Sequence, residues 1–165
     1  MRNSKTKLMC LSGIFAALVF VFTAYIHIPV HTGYTHIGDG FIYLASCLLP
    51  LPYAASVGAL GAMLSDCMTG FALWAPASVF IKALTAMFFS RKAKKIISLR
   101  NIIALIPSCF FCIGGYYIYE ALITSNFTAP LAGMLGNLIQ SILSSILFII
   151  LGIAFDKFKI KDRLL

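Results

Sequence analysis

The sequence predicts an all-α integral membrane protein with six transmembrane helices and both termini on the cytoplasmic side. Three observations predict it. Of 165 residues, 61% are hydrophobic and only 11% charged, and the mean hydropathy is +0.96, more apolar surface than a water-soluble domain of this size can bury. The apolar residues fall into runs near the length that crosses a bilayer, about 20 residues, with runs near 17 tolerated. The basic residues alternate with those runs.

The first helix is expected at about 8–28. The N-terminal segment, basic and then apolar, also resembles a signal peptide. The apolar run, however, continues to about Ile28, and Phe22 stands where a cleavage site wants a small residue, so the segment reads as a span. The others are expected at about 37–50, 53–71, 75–90, 101–124 and 129–156, in a single membrane domain over 1–165. Helix-breaking sequence separates them: Pro29 with the segment Val30 to Gly38, Pro50-Leu51-Pro52, Gly70 with Pro76, the basic run Arg91 to Lys95, and Thr124 to Asn126 with Pro130. Connections this short make neighbouring helices antiparallel.

Charge tests the count. With six spans, the N-terminus, the 91–100 loop and the C-terminus share one side, and they hold twelve of the thirteen Lys and Arg residues. This is the distribution of a cytoplasmic face. It explains the net charge of +8 through topology and anionic lipid headgroups rather than nucleic acid. The loops at 29–36, 70–75 and 124–129 are then outside the cell.

Asp39, Asp66 and Lys82 interrupt otherwise apolar sequence. A charge at the centre of a membrane helix costs about 2.5–3.5 kcal/mol on insertion scales and is expected to face a partner or a polar cavity. Tyr116, Tyr117 and Glu120 fall in the outer half of the fifth helix. Asn137 and Gln140 share a face of the sixth, and Trp74 lies near the outer surface. Together these residues describe an outward-opening cavity suited to a small polar, ring-containing solute. The expected substrate-binding residues are Asp66, Trp74, Lys82, Tyr116, Tyr117, Glu120, Asn137 and Gln140. Other roles are open. Asp39 is expected to cap the second helix, Asp66 and Lys82 are also placed to form a structural ion pair, the aromatic residues suit an interfacial belt, and the amides suit interhelical hydrogen bonds.

Small residues mark helix contacts. Ala54, Gly58, Gly61, Ala62 and Ser65 suit internal packing of the third helix, whereas Ser12, Gly13, Ala16 and Ala17 on the first serve either internal packing or an external partner. His27, His31 and His36 flank a loop without a helical face to organise a metal site, and a mobile lid is the expected use of that loop. Cys109 and Cys112 are read as apolar filler. No metal or cofactor is expected.

The run His36-Ile37-Gly38-Asp39-Gly40-Phe41-Ile42, the segment Leu64-Ser65-Asp66, then Gly70, Trp74-Ala75-Pro76, Ile81-Lys82-Ala83-Leu84 and Gly136-Asn137-Leu138-Ile139-Gln140 together resemble the substrate-binding S components of energy-coupling factor (ECF) vitamin transporters. Ala83 departs from the glycine frequent after the lysine in that family. The resemblance covers nearly the whole chain and implies a multi-pass subunit of the cell membrane that captures a vitamin from outside. It would dock on a membrane T subunit driven by two ABC ATPases, with Gly13, Ala16 and Ala17 on the docking face. No Walker sequence is present, and no enzymatic activity is expected of the chain itself. The candidate cargoes are a hydroxymethylpyrimidine precursor of thiamine or a pyridoxine-like ring, with pantothenate as the case in which Lys82 holds a carboxylate. The alternative from another class is a non-transporting membrane scaffold of the MreD type.

Overall fold

The computed structural model describes residues 2–30 and 33–164. In chain order the elements are α1 (Arg2–Ala24), β1 (His27–Val30), β2 (Gly33–His36), α2 (Asp39–Leu48), α3 (Leu51–Met68), α4 (Ala75–Thr85), α5 (Leu99–Ile103), α6 (Leu105–Thr124), α7 (Leu131–Lys157) and α8 (Ile160–Leu164). Each of the six expected segments contains a helix, with shifted ends.

Among the described residues, three stretches are long and apolar enough to cross a bilayer: Lys5–Ala24, Leu99–Thr124 and Leu131–Lys157. α2, with 10 residues, extends only about 15 Å at 1.5 Å per residue, half a hydrocarbon core, while α4 is continued by 3-10 turns into the apolar stretch Ala72–Phe88. All ten residues of α2 are buried. It is enclosed by other helices instead of lipid, so the length needed for a lipid-facing span does not apply to it.

The prolines that break the sequence begin helices. Pro52 and Pro76 lie in the first turns of α3 and α4, where an amide hydrogen has no helical partner to lose. α3 ends in a Schellman motif: Gly70 adopts φ +87°, and the Phe71 amide donates to the Asp66 carbonyl at 2.9 Å. This left-handed turn is open to glycine at little cost. It reverses the chain beside Asp66 and sends Phe71 and Trp74 back over the helix end.

α3 is the central helix, packed between α1 and α4. Its small residues permit that: a Cβ at Gly58 would stand 2.7 Å from the Lys82 carbonyl oxygen, and one at Gly61 would stand 2.7 Å from Val19 and 2.9 Å from the Ala16 carbonyl oxygen. Internal packing, as expected for α3, is what these positions do.

The chain between α1 and α2 departs most from expectation. α1 stops at Ala24 rather than Ile28, and His27–Val30 pairs antiparallel with Gly33–His36 in the register His27 to His36, Ile28 to Thr35, Pro29 to Tyr34 and Val30 to Gly33. The Thr35 hydroxyl donates to the Gly136 carbonyl of α7 at 3.0 Å. The expected loop is thus a hairpin tied to the bundle.

Candidate functional site

Four helices direct one face each toward a pocket beneath the hairpin. α3 contributes Ala62 and Asp66, α4 Ser78 and Lys82, α6 Tyr116 and Glu120, and α7 Gly133 and Asn137. Each pair is spaced i, i+4, one helical turn on the same side. Gln140 extends the α7 face, while Thr23, Tyr34, His36, Phe71 and Trp74 complete the wall. The empty space of the pocket, its open mouth included, is about 600 Å³.

At its deep end the Lys82 ammonium meets Asp39 Oδ2 at 2.8 Å, with side chains 1% and 2% exposed. Gln140 Nε2 donates to the same oxygen at 2.9 Å. The ammonium also lies 5.1 Å from the Tyr116 ring centroid, a cation–π contact. The partner of Lys82 is therefore Asp39, not Asp66. Gly38 is the N-cap residue of α2, and Asp39 is the acid of its first turn. Its carboxylate turns inward because Lys82, desolvated on α4, needs a counter-charge more than the helix end needs an acceptor.

Toward the mouth, the Tyr34 hydroxyl donates to Asp66 Oδ1 at 2.5 Å, while Asp66 Oδ2 is buried with no hydrogen-bond partner among the described residues. Burial and the Asp66 charge push the Tyr34 hydroxyl upward in pKa, so it remains a donor. The Tyr34 ring packs 4.8 Å from Phe71 and 4.9 Å from His27. The Ser78 and Tyr116 hydroxyls are 2.8 Å apart, and the Trp74 ring stands 6.1 Å from that of Tyr116. His36 Nδ1 accepts from the Gly38 amide at 3.2 Å. Burial lowers its pKa to about 4, so the ring is neutral at physiological pH.

Seven of the eight expected substrate-binding residues line this pocket: Asp66, Trp74, Lys82, Tyr116, Glu120, Asn137 and Gln140. Tyr117 does not. One residue after Tyr116 it points about 100° away around the helix, and its hydroxyl donates to the Phe127 carbonyl at 2.9 Å. Sequence reasoning missed Tyr34, Phe71, Thr23 and Ser78. Ser78 carried a signal, lying one turn before Lys82 on α4, whereas Tyr34 reaches the pocket through strand pairing that the expected loop lacked.

Among the described residues no group of three His, Cys, Asp or Glu side chains is placed to hold a metal; His31 lies outside the described residues. Of the expected docking residues, Gly13 and Ala17 are exposed on α1 and Ala16 is half-buried, its carbonyl against Gly61.

An apolar helical bundle with a polar pocket at one end defines a membrane-embedded solute-binding protein, and the family comparison makes that class specific. The family model described as ECF-type riboflavin transporter, S component, matches residues 3–157, and the chain belongs to that family. Its members are vitamin-transport subunits of the membrane that work with an ECF T subunit and ATPase modules. No curated protein matches the chain.

Proposed function

We propose that the chain is the capture subunit of an ECF vitamin transporter, and that it binds an uncharged, flat heteroaromatic vitamin in the pocket beneath the β1–β2 hairpin. Riboflavin, named in the description of the matching family, is the first candidate; the hydroxymethylpyrimidine and pyridoxine-like rings are smaller alternatives of the same chemistry. The observation that carries the reading is the convergence of aromatic faces, Tyr34, Phe71, Trp74 and Tyr116, with the polar groups of Asp66, Glu120 and Asn137 in one pocket. Aromatic walls suit a stacked ring, and carboxylates and amides suit its N–H and hydroxyl groups.

In this reading the six helical segments thread the cell membrane, the hairpin end faces outside, and the twelve basic residues of the opposite end face the cytoplasm. The hairpin, with Tyr34 held on Asp66, covers the cargo. Gly13, Ala16 and Ala17 form the α1 face that meets the T subunit, and ATP hydrolysis belongs to the partner ATPases. Membership in the family removes the support for the scaffold alternative, which had no use for a lined pocket.

A thermal-shift screen of the purified protein against B vitamins and their precursors tests the reading. Riboflavin or one smaller ring is expected to raise the melting temperature, with the shift lost in Glu120→Gln. No shift from any vitamin, with the protein folded, contradicts it.

A further inference from the structure

At the basic end of the bundle the chain forms no helix or strand over residues 91–98, yet its backbone is fastened from three helices. Both carboxylate oxygens of Asp156, at the end of α7, accept amides, that of Ile96 at 2.8 Å and that of Ile97 at 2.9 Å. Lys161 on α8 donates to the Arg91 carbonyl at 2.7 Å and to the Ala93 carbonyl at 2.6 Å. Asn101 on α5, fully buried, accepts from the Ser90 amide at 2.9 Å and donates to the Ile96 carbonyl at 3.0 Å. The loop also lies close on α7, where a Cβ at Gly152 would stand 2.5 Å from the Ile97 side chain.

These bonds shape a cleft between the loop and the α7–α8 corner, with about 700 Å³ of empty space, its open face included. Beside Asp156 and Lys161 it is lined by Lys94, Lys95, Phe155, Lys159 and Asp162. Asp156 and Lys161 are committed to the loop backbone. Lys94, Lys95 and Lys159 are exposed and form no ion pair among the described residues, so three ammonium groups face the one remaining carboxylate, that of Asp162. Lys159 adopts φ +50° where α7 turns into α8. Glycine takes that conformation at less cost, and a lysine there sets an ammonium in the cleft wall.

The cleft lies at the ends of two membrane-length helices. Leu99 opens the stretch Leu99–Thr124 directly after the loop, and Lys157 closes Leu131–Lys157. From Leu99 an apolar ladder continues along α5 and α6, with Leu99, Ile103, Ile106 and Phe110 all exposed at the spacing of one helix face. We propose that the cleft binds the headgroup of an anionic phospholipid, with Lys94, Lys95 and Lys159 taking its phosphate. Its place at the ends of two spans, beside apolar surface for acyl chains, favours lipid over an acidic protein segment. General attraction of basic residues to anionic membranes requires no particular shape, whereas here Asp156, Lys161 and Asn101 fix the loop that carries two of the three lysines. The proposal does not depend on what the pocket at the other end binds.

The test uses the full-length protein purified in a non-ionic detergent. Short-chain phosphatidylglycerol and phosphatidylcholine are titrated while the melting temperature is followed, and native mass spectrometry counts the lipid retained. Phosphatidylglycerol is expected to bind at least about tenfold tighter and to be retained as a single molecule. Lys94→Gln with Lys95→Gln is expected to bring the two lipids close to parity, whereas Lys5→Gln with Lys7→Gln, an equal change of charge at the start of α1, leaves the preference in place. Asp156→Ala separates a built site from diffuse attraction: it removes a negative charge, yet is expected to weaken phosphatidylglycerol binding because the loop loses its anchor. Equal binding of the two lipids, equal losses in both lysine pairs, or tighter binding by Asp156→Ala overturns the site. Glycerol phosphate raising the melting temperature as far as the lipid does would make the cleft a soluble-anion site. Loss of the T subunit and ATPases on co-purification of Lys94→Gln with Lys95→Gln, at unchanged lipid binding, would make it a protein-docking surface; either result overturns the lipid assignment.

Discussion

Lys82 and Asp39 stand 2.8 Å apart in the interior of the bundle, joined by Gln140, and the three residues tie α4, α2 and α7 together. Removing one partner leaves the other charged and buried, a loss of about 3–5 kcal/mol. Lys82→Met is therefore expected to lower the melting temperature sharply, and Lys82→Met with Asp39→Asn to recover much of it. A double variant no more stable than the single would show that the pair does not carry this coupling. His36 gives a pH dependence. Its pKa falls to about 4 in the fold against about 6.5 in an unfolded chain, so the unfolded state binds the extra proton first. Its contribution is fully present above about pH 6.5 and is lost as pH falls toward 4. The melting temperature is expected to drop over that window, and to drop less in His36→Asn. The charged residues were legible in the sequence because charge in an apolar run demands compensation. Which acid compensates Lys82 was not, because Asp39 and Asp66 both lie at helix ends and only the packing of α2 against α4 and α7 decides between them.

At the scale of the element, the hairpin supplies Gly33, Tyr34 and His36 to the pocket lining. Its anchors are the Tyr34–Asp66 and Thr35–Gly136 hydrogen bonds. Tyr34→Phe removes a bond to a charged acceptor, a loss of about 1.5–3 kcal/mol, and is expected to accelerate amide exchange across β1 and β2 while sparing α3. Unchanged exchange would mean the strand pairing alone holds the hairpin. The sequence concealed this element because Pro29 and Gly33 read as loop residues, and a two-stranded pairing of four residues each has too short a pattern to detect. The long helices α6 and α7 were legible from hydropathy, whereas α2 was drawn too long, since a buried helix need not match the bilayer. On α1, a Cβ at Gly13 would meet nothing within 4 Å. Gly13→Leu is therefore expected to leave folding and vitamin binding intact and to abolish co-purification with the T subunit. Retained co-purification would remove Gly13 from the docking face.

Across the whole molecule, charge and polarity are divided between two ends. The basic clusters begin α1, connect α4 to α5, and close α7 and α8, while the acidic and aromatic pocket lies beneath the hairpin. The proposed orientation, with the pocket facing outside, rests on that division and on the positive-inside rule. The division was visible in the linear sequence, because both the basic clusters and the apolar runs are contiguous. The pocket's exact lining was not, since it draws on the hairpin and on five helices scattered from Thr23 to Gln140.

The chain has a single tryptophan, and Trp74 lies in the pocket wall, so its emission reports occupancy directly. Titrating riboflavin, and then the smaller rings, into the purified protein while following tryptophan emission tests whether this pocket is the binding site. A saturable change with one ligand per chain, abolished by Glu120→Gln, is the predicted result. A vitamin that raises the melting temperature while leaving Trp74 emission unchanged would place binding elsewhere and contradict the account.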